Sequence, residues 1–178
     1  PTWEQATSMD LKRAGNLVYL VGEFQPVFGG SHFNLLYPHT PIEEGVPLCS
    51  PNNPQVYHAY YQAIAQRLVA ACHDLSEGGL AVAAAEMCMA GRLGLHLQLM
   101  GEDAQRSLFG ETSGCFLVEV AAQNMAVFEA LLSGFPCTQV GKVVELSNLC
   151  IEFNQAKILE ISIENLLQAW QRRQGEMS

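Results

Sequence analysis

The stretch Cys72-His73-Asp74-Leu75-Ser76-Glu77-Gly78-Gly79-Leu80, running straight into the alanine-rich segment Ala81 to Ala90, constrains the fold more than any other part of the sequence. Val69 to Cys72 is a short apolar run of strand type. Gly78-Gly79 is a breaker pair, and Leu80 to Ala90 consists largely of strong helix formers that stop before Gly91. The unit reads strand, glycine turn, helix. Asp74, Ser76 and Glu77 then stand at a strand's carboxyl end, and the first N–H groups of the helix face whatever occupies the turn. Glycines that permit close approach at a helix start suit an anion, and Asp74 or Glu77 adds hard oxygen donors for a metal. The same residues equally suit a structural use, with Ser76 or Asp74 capping the helix and the glycines making the turn.

Composition narrows the alternatives. The 178 residues are 49% hydrophobic and 15% charged, enough for one well-buried soluble domain, expected to span 1–178. A net charge of -9, from 18 acidic and 9 basic residues, with no basic run, argues against nucleic acid as a partner. Cys49, Cys72, Cys88, Cys115, Cys137 and Cys150 lie in apolar contexts without a CxxC pair, which fits free thiols in a reducing compartment, the cytoplasm, better than disulfides or zinc. No apolar run reaches membrane-spanning length, and Pro1-Thr2-Trp3-Glu4 has neither the basic region nor the core of a signal peptide. The missing initiator methionine points to a piece of a longer chain.

In order along the chain, Leu17 to Val21 is a strand apolar on both faces, implying a central position. Phe28-Gly29-Gly30-Ser31 is a second glycine turn, followed by Phe33 to Tyr37 and a proline-rich loop from Pro38 to Pro54, a length common in functional loops and in stiffened surface connections. Asn53 is expected to cap a helix with Pro54 at its first position, and Val56, Tyr60, Ile64 and Leu68 make its apolar stripe, leaving His58 solvated. Leu95, Leu97 and Leu99 alternate with His96 and Gln98, so His96 reads as surface. Ser107 to Gly114 leads into a strand Cys115 to Val120. A helix Gln123 to Ser133 follows, with Val127, Leu131 and their neighbours inward, closed by Gly134 and Pro136. Strands around Val140 to Leu146 and Leu149 to Phe153 precede Lys157 to Ile161. Ser162 caps a last helix, Ile163 to Arg173, with Leu166, Leu167 and Trp170 inward and Arg172 and Arg173 at its negative end. Roughly six strands and four helices in mixed order predict an α+β layered domain.

Met9-Asp10-Leu11-Lys12, Gly15 to Gly22, Gly29-Gly30-Ser31, His73 to Met87, Leu108-Phe109-Gly110-Glu111 and Val140-Gly141-Lys142-Val143 together resemble the C-terminal domain of phosphoribosylformylglycinamidine synthase, in order and across nearly the whole chain. The His-Asp-x-Ser-Glu-Gly-Gly run is shared with the wider aminoimidazole ribonucleotide synthetase-like superfamily. The Leu-Phe-Gly-Glu element and the opening segment favour the purine synthase within it.

The resemblance implies a three-layer α/β/α domain with a mixed sheet and ferredoxin-like features, and a place in purine biosynthesis. The full-length enzyme of that family uses ATP and magnesium to activate the amide oxygen of a small-molecule ribonucleotide substrate, formylglycinamide ribonucleotide. Ammonia from a glutaminase subunit then gives the amidine. Implied partners are the upstream domains, the glutaminase and a small accessory subunit. The family's catalytic histidine and ATP domain are absent here, so no residue is assigned to catalysis and the fragment alone is expected to be inactive and to require no cofactor. Phosphate or ligand binding is expected at Asp74, Ser76, Glu77, Gly78, Gly79, Gly29, Gly30, Ser31 and Glu111, with Asp74 as the candidate metal ligand. His73 to Gly79 resembles the turn of the second, supporting copy of the domain, and Cys115 stands where an Arg is expected, so a bidentate anion partner is missing, which argues against a working site in this copy. Another ATP-dependent enzyme of the superfamily, such as thiamine-monophosphate kinase or selenophosphate synthetase, and a stand-alone binding or dimerisation module are the alternatives.

Overall fold

An apolar strand needs cover on both faces, and Leu17–Val21 (β1) has it: Val18 and Leu20 enter one hydrophobic cluster while Tyr19 and Val21 enter another. The computed structural model describes residues 6–41 and 44–172. After β1 come His32–Leu36 (α1), Asn53–Ala65 (α2), Val69–Asp74 (β2), Gly79–Gly91 (α3), Gly94–Leu99 (β3), Ala104–Phe109 (α4) and Phe116–Val120 (β4). A 3-10 turn at Ala122–Asn124 leads into Met125–Leu131 (α5), then Cys137–Val144 (β5), Asn148–Phe153 (β6), Ala156–Ser162 (β7) and Ile163–Gln171 (α6). The sheet order is β2-β4-β1-β5-β3-β6-β7; β3 and β6 pair in parallel and the other neighbours antiparallel.

Helices cover the two faces unequally. α2 and α5 pack Val56, Tyr60, Phe128 and Leu132 on Tyr19, Val118 and Val120. On the opposite face α3 contributes Leu80, Ala84, Met87 and Cys88, α4 Leu108 and α6 Ile163, against side chains of β1, β3, β4 and β6. This is the expected α/β/α layering with a mixed sheet. The alanines let α3 lie close, and Gly91 has the Leu11 backbone where a Cβ would stand, at 2.4 Å from its carbonyl. The opening segment is fixed by a fully buried carboxylate on β4: Glu119 accepts from the N–H of Lys12 (2.8 Å) and of Arg13 (3.1 Å) and from Asn16 Nδ2 (2.6 Å). Paired in this way, the carboxylate's burial is offset.

Several expectations are corrected. There are seven strands and six α-helices among the described residues; α1 and α4, of five and six residues, are too short to show a 3.6-residue period. Asn53 is inside α2 rather than capping it; Asn52 takes that position without a side-chain bond to the helix end, its Nδ2 donating instead to Glu23 Oε1 (2.7 Å), and Asn53 is 5% exposed. Of the face expected inward from the helix after Gln123, Leu131 packs on the core beside Phe128 in α5 and Leu132 at its C-cap, whereas Val127 is exposed. Trp170 is exposed although Leu166 and Leu167 pack as expected. His96 is half-buried, with Glu152 at 3.1 Å. Pro1 to Glu4 and Arg173 lie outside the described residues.

Candidate functional site

The strand-turn-helix unit forms as its sequence suggests. β2 carries Asp74 at its end, and Leu75, 1% exposed, anchors the turn by donating its N–H to Cys115 O at 3.0 Å. Gly78 (φ +77°) and Gly79 (φ +70°) both take left-handed backbone, which favours glycine. Gly79 meets a second constraint: a Cβ there would stand 2.5 Å from Gly110 O and 3.0 Å from Leu108 O. The start of α3 is therefore seated against the Leu108-Phe109-Gly110 end of α4.

Glu111 joins three separated segments. Its backbone pairs both ways with Val27, at 2.9 Å each. Its Oε1 accepts from Gly78 N–H (3.0 Å) and His32 N–H (2.8 Å), with His32 Nδ1 at 3.3 Å. The anion at the glycine turn is thus the chain's own carboxylate, held by charge-assisted bonds from two backbone donors.

Asp74, Ser76, Glu77 and Glu111 share a cavity of about 340 Å³, with Thr112 and Ser113 on its wall. Gly78 borders the adjoining cavity and Gly79 is buried behind it. The other glycine turn is not brought into this site. Gly29 lies under the carbonyls of Glu44 and Gly45, each 2.3 Å from where its Cβ would stand, and Gly30 (φ +71°) abuts Val46. Ser31 is fully buried; its hydroxyl donates to Phe28 O (2.6 Å) and accepts from Asn34 N–H (3.3 Å), capping α1. Cys115 also borders the cavity, yet it is 1% exposed and burial pushes its thiol up to about 11, leaving it a core residue.

Sequence reasoning did not assign a role to two neighbours. His32 reaches Glu111 because Ser31 caps α1 and leaves the next N–H pointing outward, a signal legible in the Gly-Gly-Ser-His run. His73 Nε2 lies 2.5 Å from Glu86 Oε2 and its Nδ1 3.2 Å from Asp74 Oδ1, tying the end of β2 to α3. Nothing in the spacing announces that pair.

Magnesium takes hard oxygen ligands, commonly one or two carboxylates together with phosphate oxygens and water. The Asp74 side chain is 61% exposed, and among the described residues no three His, Cys, Asp or Glu side chains gather to hold an ion. Among the described residues no Lys or Arg lines the 340 Å³ cavity. These residues do not by themselves fit a magnesium ion or a nucleotide polyphosphate; Asp74 offers a single oxygen ligand.

A family model described as AIR synthase related protein, C-terminal domain, matches residues 13–152. The subunit PurL of phosphoribosylformylglycinamidine synthase from Lacticaseibacillus paracasei is 37% identical over 137 residues, 77% of this chain and 18% of that protein. The chain thus spans under a fifth of that curated relative. Among solved structures, Thermotoga maritima PurL complexed with FGAR superposes with a TM-score of 0.78 at 16% identity, covering 92% of this chain and 30% of that one. The PurLQS structure from the same organism gives 0.74 at 16% identity, covering 93% and 28%. At such identities these two likenesses speak for the fold.

Proposed function

Because this chain belongs to the family of AIR synthase related protein, C-terminal domain, we propose that residues 1–178 are the single C-terminal domain of a longer phosphoribosylformylglycinamidine synthase. That enzyme converts formylglycinamide ribonucleotide to formylglycinamidine ribonucleotide with ATP and glutamine-derived ammonia, in the cytoplasm, as a step of purine biosynthesis. The 37% identity to a PurL subunit over most of the chain carries this reading. Among the described residues no helix is long and apolar enough to cross a membrane. ATP, magnesium and the catalytic groups belong to the upstream domains, and the glutaminase and small accessory subunit assemble with the whole protein.

The part played by this domain is to shape and wall a binding surface. Asp74, Ser76, Glu77 and Glu111 are the ligand-facing residues, and Gly78 N–H fixes Glu111 among them. Gly79 and the Gly29-Gly30-Ser31 turn hold the backbone that presents them. A wall that among the described residues offers carboxylates and hydroxyls and no cation accepts hydrogen bonds from hydroxyl and amine donors and disfavours a bare phosphate, so the domain supports chemistry organised elsewhere.

The test is ammonia-dependent ADP production with formylglycinamide ribonucleotide and magnesium, measured with this chain alone and with the full-length protein. Activity in the full-length protein and none in the chain is expected, since a reacting geometry displaced by about 1 Å already loses on the order of a hundredfold in rate. Turnover by the chain near the full-length rate, or no such activity in the full-length protein, overturns the reading.

A further inference from the structure

A second cavity, of about 460 Å³, adjoins the first between α1, the start of α3, α4 and the end of α6. Phe33, Tyr37, Phe109 and Trp170 line it with His32 and the carboxylates of Glu77 and Glu86, and among the described residues neither lysine nor arginine does. Tyr37 and Trp170 are 54% and 66% exposed, a large outlay of aromatic surface to water. Glu86 is held in place by His73 at 2.5 Å. Glu77 makes no ion pair among the described residues.

The lining selects by charge. An anion would meet two carboxylates and, among the described residues, no lysine or arginine, while the one base in the lining, His32, has its Nδ1 3.3 Å from Glu111 Oε1. A neutral apolar molecule would take water from those carboxylates and return nothing. A cation on an apolar body satisfies both parts of the lining, since ring faces attract a desolvated ammonium or guanidinium and the carboxylates pair with it. The volume falls in the range of small-molecule pockets. We propose that this cavity is a binding site for a small organic cation, an ammonium or guanidinium group carried on an aromatic or branched apolar body. The site is separate from the cavity assigned above to the synthase reaction and shares only Glu77 with its ligand-facing residues.

Three probes of one shape and different charge test this: phenethylammonium, 2-phenylethanol and phenylacetate, titrated by calorimetry into the full-length protein. Saturable binding of the ammonium is expected, with the alcohol at least tenfold weaker and no saturable binding of the carboxylate. Glu77→Gln and Trp170→Ala alter exposed side chains, so both variants should melt as the parent does while binding the ammonium at least fivefold more weakly. Raising sodium chloride from 0.05 to 0.5 M should weaken the ammonium and leave the alcohol unchanged. Equal binding of ammonium and alcohol, affinity unchanged in both variants, or no uptake of the ammonium by the full-length protein overturns the proposal.

Discussion

Gly29-Gly30-Ser31 and Gly78-Gly79 look alike in sequence, each a glycine pair before a helix, yet the fold uses them differently. The first is sealed: loop carbonyls from Glu44 and Gly45 lie over Gly29, and Ser31 spends its hydroxyl on capping α1. The second is seated on α4 at one side and open at the other, where Asp74, Ser76, Glu77 and Glu111 face a cavity. One carboxylate links them, since Glu111 takes an N–H from Gly78 and another from His32, just beyond the first turn. A glycine pair therefore reports backbone crowding; what makes a turn available to a ligand is the acidic segment presented in front of it.

The comparison can be broken at its strongest point by Gly79→Val. A left-handed φ and backbone carbonyls at 2.5 and 3.0 Å leave no room for a side chain, and strain plus overpacking should cost about 3 kcal/mol or more, lowering the melting temperature by roughly 10 °C. A thermal melt by circular dichroism checks it; a variant as stable as the parent would mean that the seat on α4 is not rigid. Glu111→Ala comes next, because two backbone donors lose their acceptor, and a cost of about 2 kcal/mol is expected by denaturant titration. The same variant sharpens the reading of the turn: in crystals grown from sulfate, an ion should stand within hydrogen-bond reach of Gly78 N–H in Glu111→Ala and be missing from the parent. Sulfate beside Gly78 N–H in the parent would show that the internal carboxylate does not compete with external anions.

Gly30→Ala should cost less, about 1 kcal/mol, since its φ of +71° is unfavourable for alanine but the obstruction is the movable Val46 side chain. A loss equal to that of Gly79→Val in the same melt would erase the distinction between the two turns. The smallest effect concerns thiol chemistry. Burial pushes Cys115 up to about 11 and Cys88 and Cys137 up to about 12, so at pH 8 only about a thousandth of Cys115 is thiolate. Iodoacetamide followed by mass spectrometry should label exposed Cys49 first and Cys115 only after unfolding. Early labelling of Cys115 would mean that the cavity floor opens in solution.

Much of the sheet was legible because its strands are apolar runs, and α3 because alanines follow a breaker pair. The layering followed from both. Trp170 was misplaced for a physical reason: Ile163, Leu166, Leu167 and Trp170 follow helical spacing, but only the first three find a core surface, and the indole borders the aromatic cavity instead. The residues around the first cavity were legible as candidates through Asp74, Ser76, Glu77 and Glu111. The bonds of Glu111 were not, since its partners stand 33 and 79 residues away and neither is a side-chain type that spacing can flag. Asn53 shows how one residue matters: starting α2 at Asn53 itself turns an exposed cap into a buried amide whose polar atoms have no partner among the described residues.

The carboxylate of Glu119 carries a consequence for the order in which the chain is made. Its donor at Lys12 leaves the ribosome 107 residues ahead of it. At typical synthesis rates that interval is roughly 5–20 s. Through that wait the N–H groups of Lys12 and Arg13 lack their native acceptor. β1 is in the same position, because its neighbours β4 and β5 begin at Phe116 and Cys137. Within this domain the centre of the sheet is therefore synthesised ahead of its partners and cannot be completed until most of the domain has emerged, which leaves an apolar strand unpaired in the nascent chain.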